Sequence, residues 1–209
     1  MLHHSALLAI MLAGAGAAPP GLDWPAYVDG TSCKDVLPDG ARTILGIKLD
    51  MNTLDAFERV LGASPLSKEG DAGEYFEWRC WAAANGDGTV LVVGRGEVDA
   101  QVRVLGRGMR FAGRGACPKS KLVSRSLATS NGVRIGLTRA EIERKVGPAT
   151  AAGTGWHDRT CLGKKPMTEA ERSAMGAGTA EGWDVSSRVT VVEADGRAEG
   201  FRMVWVVTF

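Results

Sequence analysis

The chain has 209 residues, with 25 Lys and Arg against 24 Asp and Glu, which leaves a formal net charge of +1. Beyond the first 21 residues no apolar stretch approaches the ~18 residues that a membrane helix needs, so no later membrane-spanning helix is expected. The length suits one domain or two small ones.

Residues 1–21 contain no Lys, Arg, Asp or Glu, and an apolar run from Ala6 to Ala13 continues through small residues to Ala15, Ala17 and Ala18. The pattern is that of a secretory signal peptide over residues 1–17, cut after Ala17, although only the terminal amine, His3 and His4 supply its positive end. No cysteine lies near the cut, which argues against a lipoprotein anchor. The mature chain is therefore expected to be periplasmic or secreted, where nucleic acid is not an expected partner.

Ile44 to Leu49 is apolar and strand-like; Asn52 or Thr53 then caps a helix that runs to Leu61 and ends at Gly62. Leu54, Phe57, Val60 and Leu61 recur at helical spacing and form one apolar stripe. A strand from Glu74 to Ala82 carries Cys80, Asn85-Gly86-Asp87-Gly88 turns into Thr89 to Val93, and a further strand spans Val98 to Leu105. With Cys80 pointing inward, alternation sends Phe76 and Trp78 inward and leaves Tyr75, Glu77, Arg79 and Trp81 on the opposite face. Aromatics interleaved with opposite charges suit a protein-binding surface.

From Arg103 to Arg125 the chain holds seven basic residues (Arg103, Arg107, Arg110, Arg114, Lys119, Lys121 and Arg125) and no acidic one. Such a ribbon could meet an acidic protein, anionic lipid or another polyanion. Gly94-Arg95-Gly96 and Gly106-Arg107-Gly108 are glycine-rich but lack the strand-to-helix setting of a phosphate loop, so no nucleotide cofactor is expected.

Thr138-Arg139-Ala140-Glu141 is a capping box at the start of a second helix, which Gly147-Pro148 stops. A strand from Gly155 to Cys161 follows, in which Trp156 and Asp158 face away from Cys161. His157 is the one histidine beyond the N-terminal pair, and Asp158 beside it points to the other side of the strand, so the two make no triad pair. His157 is read as a hydrogen-bonded strand residue, and no catalytic set is found. Residues 164–180 form an insertion in which Thr168-Glu169-Ala170-Glu171 starts a short helix. Two strands, Trp183 to Val192 and Gly200 to Phe209, join around Asp195-Gly196, with Phe201, Met203, Trp205, Val207 and Phe209 facing the core. Trp24, Trp183 and Trp205 are read as structural.

The two helices repeat one pattern. Thr53 and Thr138, Glu58 and Glu143, Arg59 and Arg144, and Gly62 and Gly147 all coincide at a shift of 85 residues, with Cys33 and Cys80 flanking the first copy and Cys117 and Cys161 the second. An even number of cysteines in an exported chain favours disulfides over free thiols. No Cys-x-x-Cys knuckle exists to favour zinc. Equivalent units should close equivalent loops, which selects Cys33–Cys80 and Cys117–Cys161. The fold class expected is α+β: two tandem helix-plus-antiparallel-sheet units, residues 18–112 and 113–209, each with one disulfide.

Gly136-Leu137-Thr138-Arg139-Ala140-Glu141-Ile142, followed by Val146-Gly147-Pro148, resembles the motif of BamE-like (SmpA/OmlA) outer-membrane assembly proteins. The same small fold, doubled with one disulfide per unit, is similar to that of the secreted beta-lactamase inhibitor proteins. The stapled duplication without a catalytic set leads to the expectation of a non-enzymatic protein-binding module, inhibitor-like or immunity-like, with no metal or cofactor. Its partner would be a periplasmic or secreted hydrolase, occluded through Tyr75, Glu77, Arg79, Trp81, Trp156 and Asp158. A cell-envelope scaffold acting through the basic ribbon is the alternative that the same resemblance implies.

Overall fold

A computed structural model describes residues 24, 33, 34, 36–50, 52–69, 76–96, 98–166, 168, 169, 173 and 182–208. The expected signal segment, Tyr75, Phe209 and most of the 164–180 insertion lie outside the described residues. The described elements run β1 (Thr43–Ile44), β2 (Ile47–Lys48), α1 (Thr53–Leu61), β3 (Ser67–Glu69), β4 (Phe76–Ala83), β5 (Val90–Arg95), β6 (Asp99–Leu105), β7 (Lys119–Ser120), α2 (Arg139–Val146), β8 (Ala151–Gly153), β9 (Trp156–Pro166), β10 (Gly182–Ala194) and β11 (Arg197–Thr208). The class is α+β, dominated by an antiparallel sheet.

Eight strands form one sheet in the order β3-β4-β5-β6-β11-β10-β9-β8, and each neighbouring pair is antiparallel. The two-residue β7 adds a parallel contact on the outer edge of β4, and Cys33 makes a parallel bridge on the outer edge of β9. Period-two alternation divides the side chains between two faces. On the covered face, Trp81, Leu91, Val93, Val102, Val104, Val189, Val191, Phe201, Met203 and Trp205 share the main core with Phe57 of α1 and Ile142 of α2. The opposite face has a smaller cluster around Cys80, Val92, Leu105 and Met109.

Both helices end alike. Gly62 (φ 91°, ψ 170°) and Gly147 (φ 90°, ψ 171°) close α1 and α2 with N–H bonds to the carbonyls of Glu58 and Glu143. That positive φ is available to glycine at little steric cost, which explains why both helices stop there. The apolar stripe of α1 is narrower than its sequence spacing suggests: Leu54 and Phe57 are buried, whereas Val60 is 44% exposed.

At α2 the expected capping box forms, with the Glu141 N–H donating to Thr138 Oγ1 (3.4 Å) and the Thr138 N–H donating to Glu141 Oε2 (2.8 Å). Thr138→Ala should therefore lower stability by about 1 kcal/mol in denaturant unfolding, with the fold retained. A change below about 0.2 kcal/mol would show that the cap contributes nothing.

The disulfides overturn the one-staple-per-copy expectation: Cys33 is bonded to Cys161 and Cys80 to Cys117. Cys80 projects from β4 on the face away from the helices. Cys117 reaches it through the segment that pairs with β4 as β7. Cys33 lies against β9, its N–H donating to the Thr160 carbonyl (3.1 Å) and its carbonyl accepting from the Leu162 N–H (3.0 Å). Five strand spacings separate β4 from β9 in the sheet, about 24 Å, whereas a disulfide needs Cα atoms within roughly 7 Å. The Cα separations in the two observed bonds are 4.5 and 5.1 Å.

Candidate binding face

The alternation expected along β4 holds, but its direction is reversed. Because Cys80 points away from the helices, Glu77, Arg79 and Trp81 lie beneath them. Trp81 is fully buried and donates its Nε1–H to the Gly62 carbonyl (3.0 Å). Arg79 is clamped between Glu58 of α1 (3.1 Å) and the Ser64 carbonyl. Glu77, 6% exposed, meets Lys68 at 2.6 Å and Arg95 at 3.1 Å. The Lys68 hydrogen bond, with Arg95 adding to it, holds the Glu77 carboxyl below the usual range despite burial. Each of the three is engaged by its own internal partners, so they are withdrawn as a partner surface.

Phe76 and Trp78 lie on the open face instead. Phe76 covers Gly94 of β5, where a built Cβ would come within 2.2 Å of its ring, so the glycine is needed for this contact. Trp78 stacks edge-on against Phe111 at 5.2 Å, and Gly113 lets the loop close over it. At the other end of the sheet, Trp156 is half-buried and covers Gly153, its cross-strand partner.

A cross-strand row joins these two ends. Cys80, Val92, Arg103, Arg202, Thr190 and Asp158 succeed one another through paired positions on β4, β5, β6, β11, β10 and β9. Asp158, buried rather than outward-reaching, accepts from Thr190 Oγ1 (2.7 Å) and Thr160 Oγ1 (2.5 Å) and pairs with Arg188 Nε at 3.2 Å. Arg202 donates to Thr190 Oγ1 (3.4 Å) and lies 5.3 Å from the Trp24 ring. Burial, with the like charges of Arg103 and Arg188 adding to it against Asp158, pushes Arg202 down to about 10. Arg103 sits 5.6 Å from the Phe76 ring and donates to Gln101 Oε1 (3.0 Å). Trp24, expected to be purely structural, thus belongs to this face.

The basic run does not form one ribbon. Arg114 turns inward onto the carbonyls of Gly88, Gly106 and Met109, and Arg125 pairs with Glu199 at 3.2 Å. Arg107, Arg110, Lys119 and Lys121 are exposed, while Arg103 is half-buried in the row just described.

His157 is buried on the covered face, with Nδ1 2.9 Å from Glu193 Oε1; Asp158 points to the other side as expected. Burial pushes this imidazole below its ordinary range, against the opposing pull of Glu193. A depressed histidine contributes stability that is complete above about pH 6.5 and lost as pH falls through the folded value, because the unfolded chain takes up the proton first. Unfolding curves should therefore lose stability between pH 7.5 and 5, and His157→Gln should flatten that slope. Stabilisation of the parent by acid would contradict the sign. Among the described residues no group of three or more His, Cys, Asp or Glu is placed to hold a metal ion.

No family model, curated protein or solved structure matches the chain. The two disulfides fit an oxidising, non-cytoplasmic compartment. Among the described residues no helix is long and apolar enough to cross a membrane.

Proposed function

We propose that this is an exported, non-enzymatic protein-binding module that occludes a periplasmic or secreted hydrolase in an inhibitor-like or immunity-like way, acting through the open face of its sheet. The observation that carries the proposal is the composition of that face. Trp24, Phe76, Trp78 and Phe111 stand beside Arg103 and Arg202, and aromatic residues and Arg are enriched at protein interfaces relative to the rest of the surface. The opposite face packs Trp81, Val102 and Phe201 into the main core with Phe57 of α1 and Ile142 of α2.

We further infer an internal duplication in which the two halves exchange their leading segments. Three features support it. The strand order reads alike from both ends, with β6 and β11 at the centre. Arg79 and Arg159 occupy matching places and donate to the Ser64 and Pro148 carbonyls just past the two helix-ending glycines. Cys33 lies on the edge of β9 in the later half, whereas the β7 segment lies on the edge of β4 in the earlier half. Exchange accounts for the crossed disulfides without abandoning the repeat, and it would make one continuous sheet from two copies. Kinship with the BamE-like and beta-lactamase inhibitor families still rests on the helix motif. A scaffold docking on an envelope complex or anionic lipid would have fewer basic groups at its disposal, since Arg114 and Arg125 are engaged internally.

The test is capture from culture medium and envelope fractions of the source organism by the mature, disulfide-bonded protein, followed by assay of the captured partner's activity. Retention of one exported hydrolase, its inhibition, and loss of both in Trp78→Ala are expected. Absence of any specific partner, or capture indifferent to Trp78→Ala, would refute the proposal.

A further inference from the structure

Two of the chain's three asparagines precede glycine, Asn85-Gly86 in the turn between β4 and β5 and Asn131-Gly132 ahead of α2. An Asn-Gly pair is chemically labile, because glycine has no Cβ to keep its backbone nitrogen away from the carbon of the asparagine amide. Whether the pair reacts depends on how freely the side chain can swing over that nitrogen. The fold treats the two pairs in opposite ways.

Asn131 is half-buried and pinned. Its Nδ2 donates to the Lys145 carbonyl of α2 (2.9 Å), its Oδ1 accepts from Thr129 Oγ1 (2.5 Å), and its N–H donates to the Gly40 carbonyl (3.1 Å). The Gly132 nitrogen, which would have to attack, donates to the Thr129 carbonyl at 2.8 Å. Asn85 and Gly86 are both exposed, and nothing lies within 4 Å of a Cβ built on Gly86. The Gly86 N–H reaches the Ala83 carbonyl at 3.4 Å, beyond the usual span of a hydrogen bond of this kind. Among the described residues the Asn85 amide bonds only to Asp87, Oδ1 accepting its N–H (3.1 Å) and Nδ2 donating to its Oδ2 (3.1 Å). It is therefore tied to its own turn and to nothing in the core.

We propose that Asn85 is a site of spontaneous deamidation in the folded protein, with water the sole co-reactant, while the fold protects Asn131. The Gly86 nitrogen gives up its proton to solvent and bonds to Asn85 Cγ; the Cγ–Nδ2 bond breaks, and Nδ2 takes a proton from water and leaves as ammonia. Water then opens the cyclic imide at either carbonyl to give aspartate or isoaspartate, with nothing oxidised or reduced. The new carboxylate acts on the turn. Asp87 Oδ2, which accepts from Asn85 Nδ2, also accepts the Arg125 N–H (2.8 Å) and so ties the segment after β7 to this turn. Burial works against ionisation of Asp87, but hydrogen bonds from the Arg125 and Thr89 N–H groups hold its carboxyl down at about 2, so it would face a second negative charge.

Incubation of the mature, disulfide-bonded protein in mildly alkaline buffer tests this, with peptide mapping by mass spectrometry over time and isoaspartyl methyltransferase labelling of the products. Conversion of amide to acid at Asn85 should run at least about tenfold faster than at Asn131, because freeing Asn131 breaks several hydrogen bonds. In the reduced chain unfolded in urea the two rates should converge. Equal rates in the folded protein, faster conversion at Asn131, or no conversion at Asn85 would overturn the assignment. A gap that persists after unfolding would trace the difference to sequence and overturn the protective role of the fold. Asn85→Asp should make the Arg125 amide proton exchange severalfold faster than Asn85→Ser, which loses the same amide without adding charge. Identical exchange in the two variants would refute the coupling of this turn to the segment after β7.

Discussion

Replacing Cys33 and Cys161 together by serine is expected to lower stability by about 5 kcal/mol, and replacing Cys80 and Cys117 by about 4 kcal/mol, on the loop-closure account. The ordering follows from sequence separations of 128 and 37 residues, since the longer tether restricts the unfolded chain more. Domains of this kind carry only about 5–15 kcal/mol in total, so either pair should leave the protein near its folding threshold. The Cys33–Cys161 pair has the further task of holding the leading segment against β9, where two backbone hydrogen bonds depend on it. Denaturant unfolding of the two double variants measures both effects. A loss below about 1 kcal/mol for the Cys33–Cys161 pair would mean that the leading segment is held by other contacts.

The second large effect separates the two tryptophans of β4. Trp81→Ala should cost about 3–5 kcal/mol, because it empties a fully buried site and strips the Gly62 carbonyl of the Nε1–H it accepts. Trp78→Ala, at a half-buried position on the open face, should cost only about 1–2 kcal/mol while removing partner capture. Side-by-side unfolding and capture assays would measure the contrast. A greater stability loss at Trp78 than at Trp81 would reverse the assignment of the two faces.

Much of the architecture was legible from local pattern. Gly62 and Gly147 end their helices, Thr138 and Glu141 form their box, and the alternation of Phe201, Met203 and Trp205 marks the core side of β11. These features depend on residues close together in the chain, where periodicity and capping chemistry decide the outcome. The disulfide pairing depends on which sheet edge a leading segment reaches, and the spacing of Cys33 and Cys80 contains no such information.

The error at the site has the same origin. Period two correctly separated Trp78 from Trp81 but could not say which side the helices cover, and assigning Cys80 to that side inverted Glu77, Arg79 and Trp81. In the sequence Arg103 reads only as part of a basic run, and its pairing with Arg202 is hidden there because cross-strand register joins positions 99 residues apart. Arg202 interrupts the apolar alternation of the last strand on its non-core side, which was the available local signal. Trp24 and Phe111 come from outside the strands, and no repeating pattern marked them.

Peptide mapping under non-reducing conditions tests the central claim most directly, because the side of β4 from which Cys80 projects fixes which face is core and which is open. The account predicts two linked pairs, the Cys33 peptide with the Cys161 peptide and the Cys80 peptide with the Cys117 peptide. A Cys33–Cys80 link would contradict it, returning Trp81 to the outer surface and dissolving the aromatic and arginine face.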